Sequence, residues 1–161
     1  MGFCPPLSEG QRKSFTVVLT RYSFHHFLDP ASVLAEMVRV CKPGGRVLVA
    51  DLLLPPAKIE AYDQMERIRD PSHVRVLAAS ELLGMFTRAG LVDIQQSGYQ
   101  FELTLERLLQ ASFPKPGDTE RVRAIFEADV GVDNLGIGVH RRDGEIQFAY
   151  PISVFVGTKT A

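Results

Sequence analysis

Residues 15–54 decide the fold. They read Phe15-Thr-Val-Val-Leu-Thr-Arg-Tyr-Ser-Phe-His25-His26-Phe-Leu-Asp29-Pro30, a run of helical pattern to Cys41, then Lys42-Pro-Gly-Gly-Arg46-Val-Leu-Val-Ala-Asp51-Leu-Leu-Leu54. Val17-Val18-Leu19 is a short apolar run with two β-branched residues, the pattern of a strand buried on both faces. Asp29 is placed to cap a helix, and Pro30 at its first position loses no needed N–H. Leu34, Met37, Val38 and Cys41 recur at i, i+3, i+4 and i+7, one apolar stripe facing a sheet. Lys42 suits the negative end of the helix dipole, and Pro43-Gly44-Gly45 stops the helix. Val47-Leu48-Val49-Ala50 is again continuously apolar. Strand, loop, helix and strand in this order make a parallel crossover unit. In open parallel sheets ligands sit beyond the carboxyl ends of the strands, here residues 20–26 and 51–54.

The rest of the chain extends the pattern. Ser80-Glu-Leu-Leu-Gly-Met-Phe-Thr-Arg-Ala-Gly90 reads as a capped helix ending at glycine, with Leu82, Leu83 and Phe86 on its apolar side. A strand begins at Leu91. Asp143-Gly144 is a two-residue hairpin signal ahead of a strand running from Ile146 to Lys159. Pro151 within that run implies a bulge or an edge position. Leu105, Leu108, Leu109, Val122, Ile125 and Phe126 have the helical spacing of core positions.

The ordered combination of Phe15-Thr-Val-Val-Leu, His25-His26 and Lys42-Pro-Gly-Gly resembles the second half of a class I S-adenosylmethionine-dependent methyltransferase, in the branch that includes the ubiquinone and menaquinone biosynthesis enzymes. Thr16 stands where that family often has aspartate. The resemblance covers most of residues 15–159 and is weakest over 100–140. It implies an α/β three-layer sandwich, the C-terminal half of a Rossmann-like fold, with the last strand antiparallel and inserted between its two predecessors. Strands are expected at Thr16 to Leu19, Arg46 to Leu52, Val92 to Ser97 and up to Lys159. Residues 1–14 read as an irregular segment and 15–161 as the partial domain.

The family's opening strand, glycine-rich turn and ribose-binding acidic residue have no counterpart in this sequence. Gly136-Ile-Gly138 lies far from any strand-to-helix turn and reads as a flexible loop. The resemblance therefore implies weak or absent binding of S-adenosylmethionine by this chain alone, and activity dependent on a complementing N-terminal half.

Candidate site residues follow from position. The resemblance places Thr20, Arg21 and Tyr22, at the end of the first strand, along the methionine part of the cofactor; they equally could just close the strand. His25 and His26 are candidate catalytic bases because histidine titrates near neutral pH. In an extended loop only one of two adjacent residues faces a cleft, and the bland alternative is a histidine bonded to a loop carbonyl. Asp51 either orients a substrate or caps the next turn. Arg69, His73 and Arg75 lie in a segment that in this family often forms a lid and could select an anionic or polar small-molecule substrate; a surface loop with Asp70 or Ser72 as a cap is the alternative.

Composition excludes other classes. A net charge of −1 over 161 residues gives no electrostatic reason for nucleic-acid or anionic-membrane binding. Hydrophobic residues make up 45% and mean hydropathy is +0.02, a globular balance. Cys4 and Cys41 lack metal spacing and imply free thiols in a reducing compartment, so a cytoplasmic setting is expected. No run reaches the length of a membrane span. Without the preceding strands, residues 16–19 become a sheet edge without proline or inward charge, and a homodimer through Thr16–Leu19 is expected. Two other readings stand beside the enzyme: a non-catalytic half-domain that dimerises or binds a partner, and a doubly wound oxidoreductase, which the absent glycine motif disfavours.

Overall fold

The computed structural model describes residues 14–112 and 114–161, so most of the expected irregular segment 1–14 lies outside the described residues. Five strands, β1 (Phe15–Arg21), β2 (Cys41–Leu52), β3 (Leu91–Thr104), β4 (His140–Arg142) and β5 (Glu145–Lys159), form one sheet. Its order is β1-β2-β5-β3, with β4 also pairing β5. β1 and β2 run parallel, joined through helix α1 (Pro30–Val40). β5 is antiparallel to both neighbours, β2 and β3, as the resemblance implied.

Alternation along β2 divides the core. Val47 and Val49 face α1 and α3 (Ala79–Arg88), packing with Leu34, Met37, Leu82, Phe86 and Phe155. Ala50 and Leu52 face the opposite layer of α2 (Pro56–Arg69), α4 (Leu105–Gln110) and α5 (Asp118–Asp129), with Tyr62, Met65, Leu105, Val122, Phe126 and Phe148. Helices on both faces of a mixed sheet make the three-layer α/β sandwich.

Several local expectations change. Asp29 caps α1 by accepting from Ser32 N at 3.1 Å, but the helix ends at Val40, and buried Cys41 opens β2 instead of closing the stripe. Lys42 to Gly45 then form an irregular entry to the strand, where Phe15 pairs with Cys41 and Val17 already with Arg46. The α3 cap is Ala78 rather than Ser80; Glu81 Oε2 accepts the Ala78 N–H at 2.9 Å. Leu83 is exposed while Leu82 and Phe86 are buried. Pro151 causes neither a bulge nor an edge strand. Its carbonyl accepts from Leu53 N just past the last β2–β5 pair, Leu52 with Ile152, so its missing N–H falls beyond the end of that ladder.

Asp143 and Gly144 both have positive φ, the two-residue hairpin turn the sequence signals. Gly136 and Gly138 also have positive φ, yet their loop is tied down: Asp129 accepts from Asn134 N and Leu135 N, and Asp133 from Gly138 N. β1 is not buried on both faces. Val17 and Leu19 are 52% and 63% exposed, because they alternate with Val18 onto the face of β1 opposite α1, which no described helix covers.

Gly45 marks the tightest spot in the crossover. A Cβ there would lie 2.6 Å from Cys41 Sγ, 2.9 Å from Lys42 O and 3.0 Å from Thr16 O, whereas one on Gly44 meets nothing within 4 Å. Gly45→Ala should cost about 2–3 kcal/mol through overpacking. Gly44→Ala, limited to the left-handed penalty at φ 72°, should cost about 1 kcal/mol. Chemical denaturation of both variants checks the order.

Candidate active site

A cleft of about 210 Å³ opens at the carboxyl ends of β1 and β2, where the topology places a ligand. Its lining includes Tyr22, His25, His26, Asp51, Tyr62, Glu66, Arg69, Phe101 and Tyr150. Four of the five buried polar or charged residues named among those described, Asp51, Asp63, Glu66 and His73, line or back this cleft. Burial of unpaired charge is costly, so each must be matched by partners.

Asp51, 2% exposed, ends β2 and is matched by four donors. Oδ2 accepts from Ser23 N at 3.1 Å and Phe24 N at 2.6 Å; Oδ1 accepts from Leu52 N at 2.8 Å and bonds His25 Nδ1 at 2.6 Å. The carboxylate thus fixes a short 3-10 turn, Phe24–His26, directly after β1. Since a carboxylate only accepts, His25 Nδ1 carries the hydrogen, and in the neutral ring Nε2 is the nitrogen with the lone pair. Asp51 thus holds the turn, and its oxygens are committed to these four donors.

The 3-10 turn also overturns the expectation that only one histidine would face the cleft. Its backbone is curved rather than extended, and both rings line the site, 4.2 Å apart between centroids. His26 Nδ1 is 3.1 Å from Ser72 Oγ, and the His25 carbonyl accepts from Val74 N and Arg75 N. Segment 70–76 is therefore bound to the histidine turn. Asp70 closes its own turn, accepting from Ser72 N at 2.9 Å.

The other sequence candidates separate. Arg69 lines the cleft, but Glu66 accepts from both its Nε (2.8 Å) and its second nitrogen, and Ser112 Oγ accepts from the third. Although burial disfavours the charged guanidinium, the bonds and charge of Glu66 more than offset this and raise its pKa. Arg75 points to Glu81 and does not line the cleft.

His73 lies behind the cleft, its side chain fully buried, with Nε2 2.7 Å from Asp63 Oδ1. Asp63 also accepts from Val76 N at 2.9 Å. Nε2 therefore carries the hydrogen, and Nδ1 is a buried lone pair without a partner.

At the end of β1, Thr20 Oγ1 bonds Ser23 Oγ, and Arg21 donates to the Tyr22 hydroxyl at 2.8 Å. Tyr22 alone of the three lines the cleft. Its positive φ of 55° turns the chain out of β1, and its hydroxyl bonds that of Tyr99 on β3 at 2.8 Å.

Sequence reasoning missed Tyr62, Glu66, Phe101, Leu108 and Tyr150. Tyr62, Glu66 and Arg69 stand at i, i+4 and i+7, one helical stripe, and that spacing was the available signal. Phe101 and Tyr150 face each other across the β3–β5 ladder, a pairing that only the register reveals.

The family model described as methyltransferase domain matches residues 3–96, and the chain belongs to that family. It is 40% identical over 87 residues to an uncharacterized methyltransferase, YcgJ of Bacillus subtilis, covering 52% of this chain and 34% of that protein. It is 40% identical over 81 residues to the uncharacterized protein YafE of Escherichia coli, covering 49% and 39%. The matched stretches thus span well under half the length of these relatives. The YcgJ structure superposes with a TM-score of 0.81 at 23% identity, over 93% of this chain and 66% of that one. A phosphoethanolamine N-methyltransferase of Haemonchus contortus, solved with S-adenosyl-L-methionine, shares the fold at a TM-score of 0.57 and 16% identity, over 93% and 34%. The fold is the class I, Rossmann-like methyltransferase fold.

Burial lowers the pKa of His73, with the bond to Asp63 opposing. The sign follows: below the unfolded-state value of about 6.5 the unfolded chain gains a proton that the folded chain refuses. Stability should fall as pH drops from about 7.5 to 5, well above the carboxylate range. Thermal unfolding across that range should show the loss in the parent chain and a flatter profile in His73→Gln.

Proposed function

We propose that this chain provides the acceptor-binding and proton-accepting side of an S-adenosylmethionine-dependent methyltransferase acting on a small molecule. The observation that carries this reading is the Asp51–His25 pair at the carboxyl end of β2, in a chain of the methyltransferase domain family.

The cofactor would supply an electrophilic methyl group on a sulfonium. By the resemblance Thr20, Arg21 and Tyr22 would run along its methionine part, and of the three Tyr22 lines the cleft. Among the described residues there is neither a glycine-rich strand-to-helix turn for its methionine part nor a ribose carboxylate, so these residues fit only part of it. The steps assigned to this chain are accordingly its own. His25 Nε2 accepts the acceptor's hydroxyl proton, and Asp51 holds the ring in the right tautomer and stabilises the imidazolium, the division of labour of carboxylate–histidine pairs generally. His26 and Tyr22 border the same space. Segment 70–76 covers the histidine turn.

Isothermal calorimetry should show weak or no binding of S-adenosylmethionine to the chain alone; sub-micromolar affinity would overturn the need for a complementing segment. In a complemented domain, His25→Ala should lower the methylation rate about 100-fold or more while shifting thermal stability little. Equal loss of fold and rate would make the histidine structural.

A second reading is favoured by the open edge of β1, with Phe15, Val17 and Leu19 exposed: a half-domain that dimerises. Antiparallel pairing of two β1 strands about Val18 would satisfy the edge and place no like charges opposite one another. Light scattering should then give twice the monomer mass, and Leu19→Lys, at an exposed position, should return it to the monomer.

A further inference from the structure

We infer that His73 is a positioning residue that latches segment 70–76 onto the histidine turn of the cleft while its ring is neutral, and releases it when the ring is protonated. The latch stands on the packing around His73; only its bearing on catalysis rests on the methyl-transfer reading.

Segment 70–76 lies between α2 and α3 and has no helix or strand of its own. From Asp70 to Arg75 every residue is half-buried or exposed except His73, whose side chain is fully buried. A stretch without a buried apolar anchor is thus pinned by a titratable ring. Around that pin it bonds to the histidine turn. Val74 N and Arg75 N donate to the His25 carbonyl at 3.0 and 3.2 Å, and Ser72 Oγ lies 3.1 Å from His26 Nδ1. Arg67 donates to the Val74 carbonyl at 2.8 Å.

The groups facing the ring decide what a second proton does. On α2 stand Tyr62, Glu66 and Asp63, which accepts from His73 Nε2 at 2.7 Å. Asp63 is already shared: Val76 N donates to the same oxygen at 2.9 Å, and Arg67 lies 3.5 Å from the other. Glu66 is paired with Arg69. On the 3-10 turn stand His25 and His26, with ring centroids 5.6 and 6.2 Å away. Asp70 and Arg75, on the segment itself, are turned to Ser72 and Glu81. Nδ1 has no hydrogen-bond partner in the closed segment. A proton there makes a buried donor without an acceptor, beside two more histidine rings.

Burial holds the pKa of the ring below its ordinary value, with the Asp63 bond opposing. Water reaches Nδ1 only when the segment lifts, and lifting residues 70–75 uncovers no buried apolar side chain of their own. In the open segment His73 titrates at about 6.5, so below that pH the open form gains a proton that the closed form refuses. Asp51 still holds the turn through Ser23 N and Phe24 N. Release is therefore local, and it uncovers the cleft wall made by His25 and His26.

The test is amide hydrogen exchange of the full chain, followed by NMR from about pH 7.5 to 5 and corrected for intrinsic exchange. Val74 and Arg75 should be protected at least about tenfold less than Val49 and Phe155 in the sheet core, the mark of local opening. Their protection should fall a further tenfold or so, about one pKa unit of linkage, across that pH range. His73→Gln keeps a donor for Asp63 without titrating, and in it the protection of Val74 and Arg75 should not change with pH. His26→Gln should keep the pH dependence of the parent. Where His73→Gln fails to fold, the ring-nitrogen shifts of His73 in the parent decide: the midpoint must lie below about 6.5, with the loss of protection in the interval above it. Protection in the parent that ignores pH or equals that of the core, an unchanged pH dependence in His73→Gln, or one abolished by His26→Gln would overturn the inference. The measurement needs no methyl transfer, so an inactive complemented domain leaves the latch standing, and a segment that stays shut leaves the methyl-transfer reading standing.

Discussion

The two oxygens of Asp51 serve four donors, and most of the cleft depends on that arrangement. A carboxylate at the end of a central strand, 2% exposed, is tolerable only if hydrogen bonds replace its lost hydration. Three of its donors are backbone N–H groups, two of them at the start of the 3-10 turn and one at Leu52. The chain leaving β1 must therefore curl around this carboxylate rather than run on extended. That curl brings His25 and His26 to one side and presents the His25 carbonyl to Val74 and Arg75. One desolvated charge thus joins β1, β2 and the 70–76 segment.

The layer beneath follows the same rule of internal compensation. Glu66 with Arg69, and Asp63 with His73, are buried pairs whose partners come from α2 and the segment after it. Such pairs add little net stability, since desolvation offsets their attraction. Their effect is local: Glu66 and Arg69 neutralise each other within α2, Asp63 ties the following segment back to that helix through His73 and Val76 N, and together the pairs keep the cleft near neutrality. The unpartnered Nδ1 of His73 is the one buried side-chain polar atom among the described residues left without a partner. It sits 5.6 Å, ring to ring, from His25, so the imperfectly satisfied part of the network lies next to the proposed base.

The sheet order explains why a chain with a well-covered β2 and β5 has an exposed β1. β2 has helices on both faces and a strand on each side, and the β5 insertion gives β3 and β2 a common antiparallel neighbour. β1 receives α1 on one face only through Val18, and the described residues leave its outer edge open. An edge of this kind invites pairing, either by a complementing segment or by a second copy.

The sequence by itself determined the crossover unit, the antiparallel hairpin at Asp143-Gly144 and the end of the sheet that carries the site. These rest on local signals: an aspartate cap before proline, a glycine pair after a helix, a two-residue turn, and runs whose period is 2 or 3.6. It also placed Tyr22, His25, His26, Asp51 and Arg69, because all five stand at or near element ends that the topology brings together. The tertiary structure decided what each of them does. Whether Asp51 is free or committed depends on where Ser23, Phe24 and His25 turn, and whether Arg69 is a receptor or a neutralised partner depends on Glu66 one turn away. His73 is withdrawn into the core by Asp63, and Arg75 is turned outward by Glu81. Phe101 and Tyr150 join the cleft through a long-range register that no local pattern encodes. Propensity and periodicity act over a few residues, whereas the state of a buried charge is set by whichever donors the whole fold delivers to it.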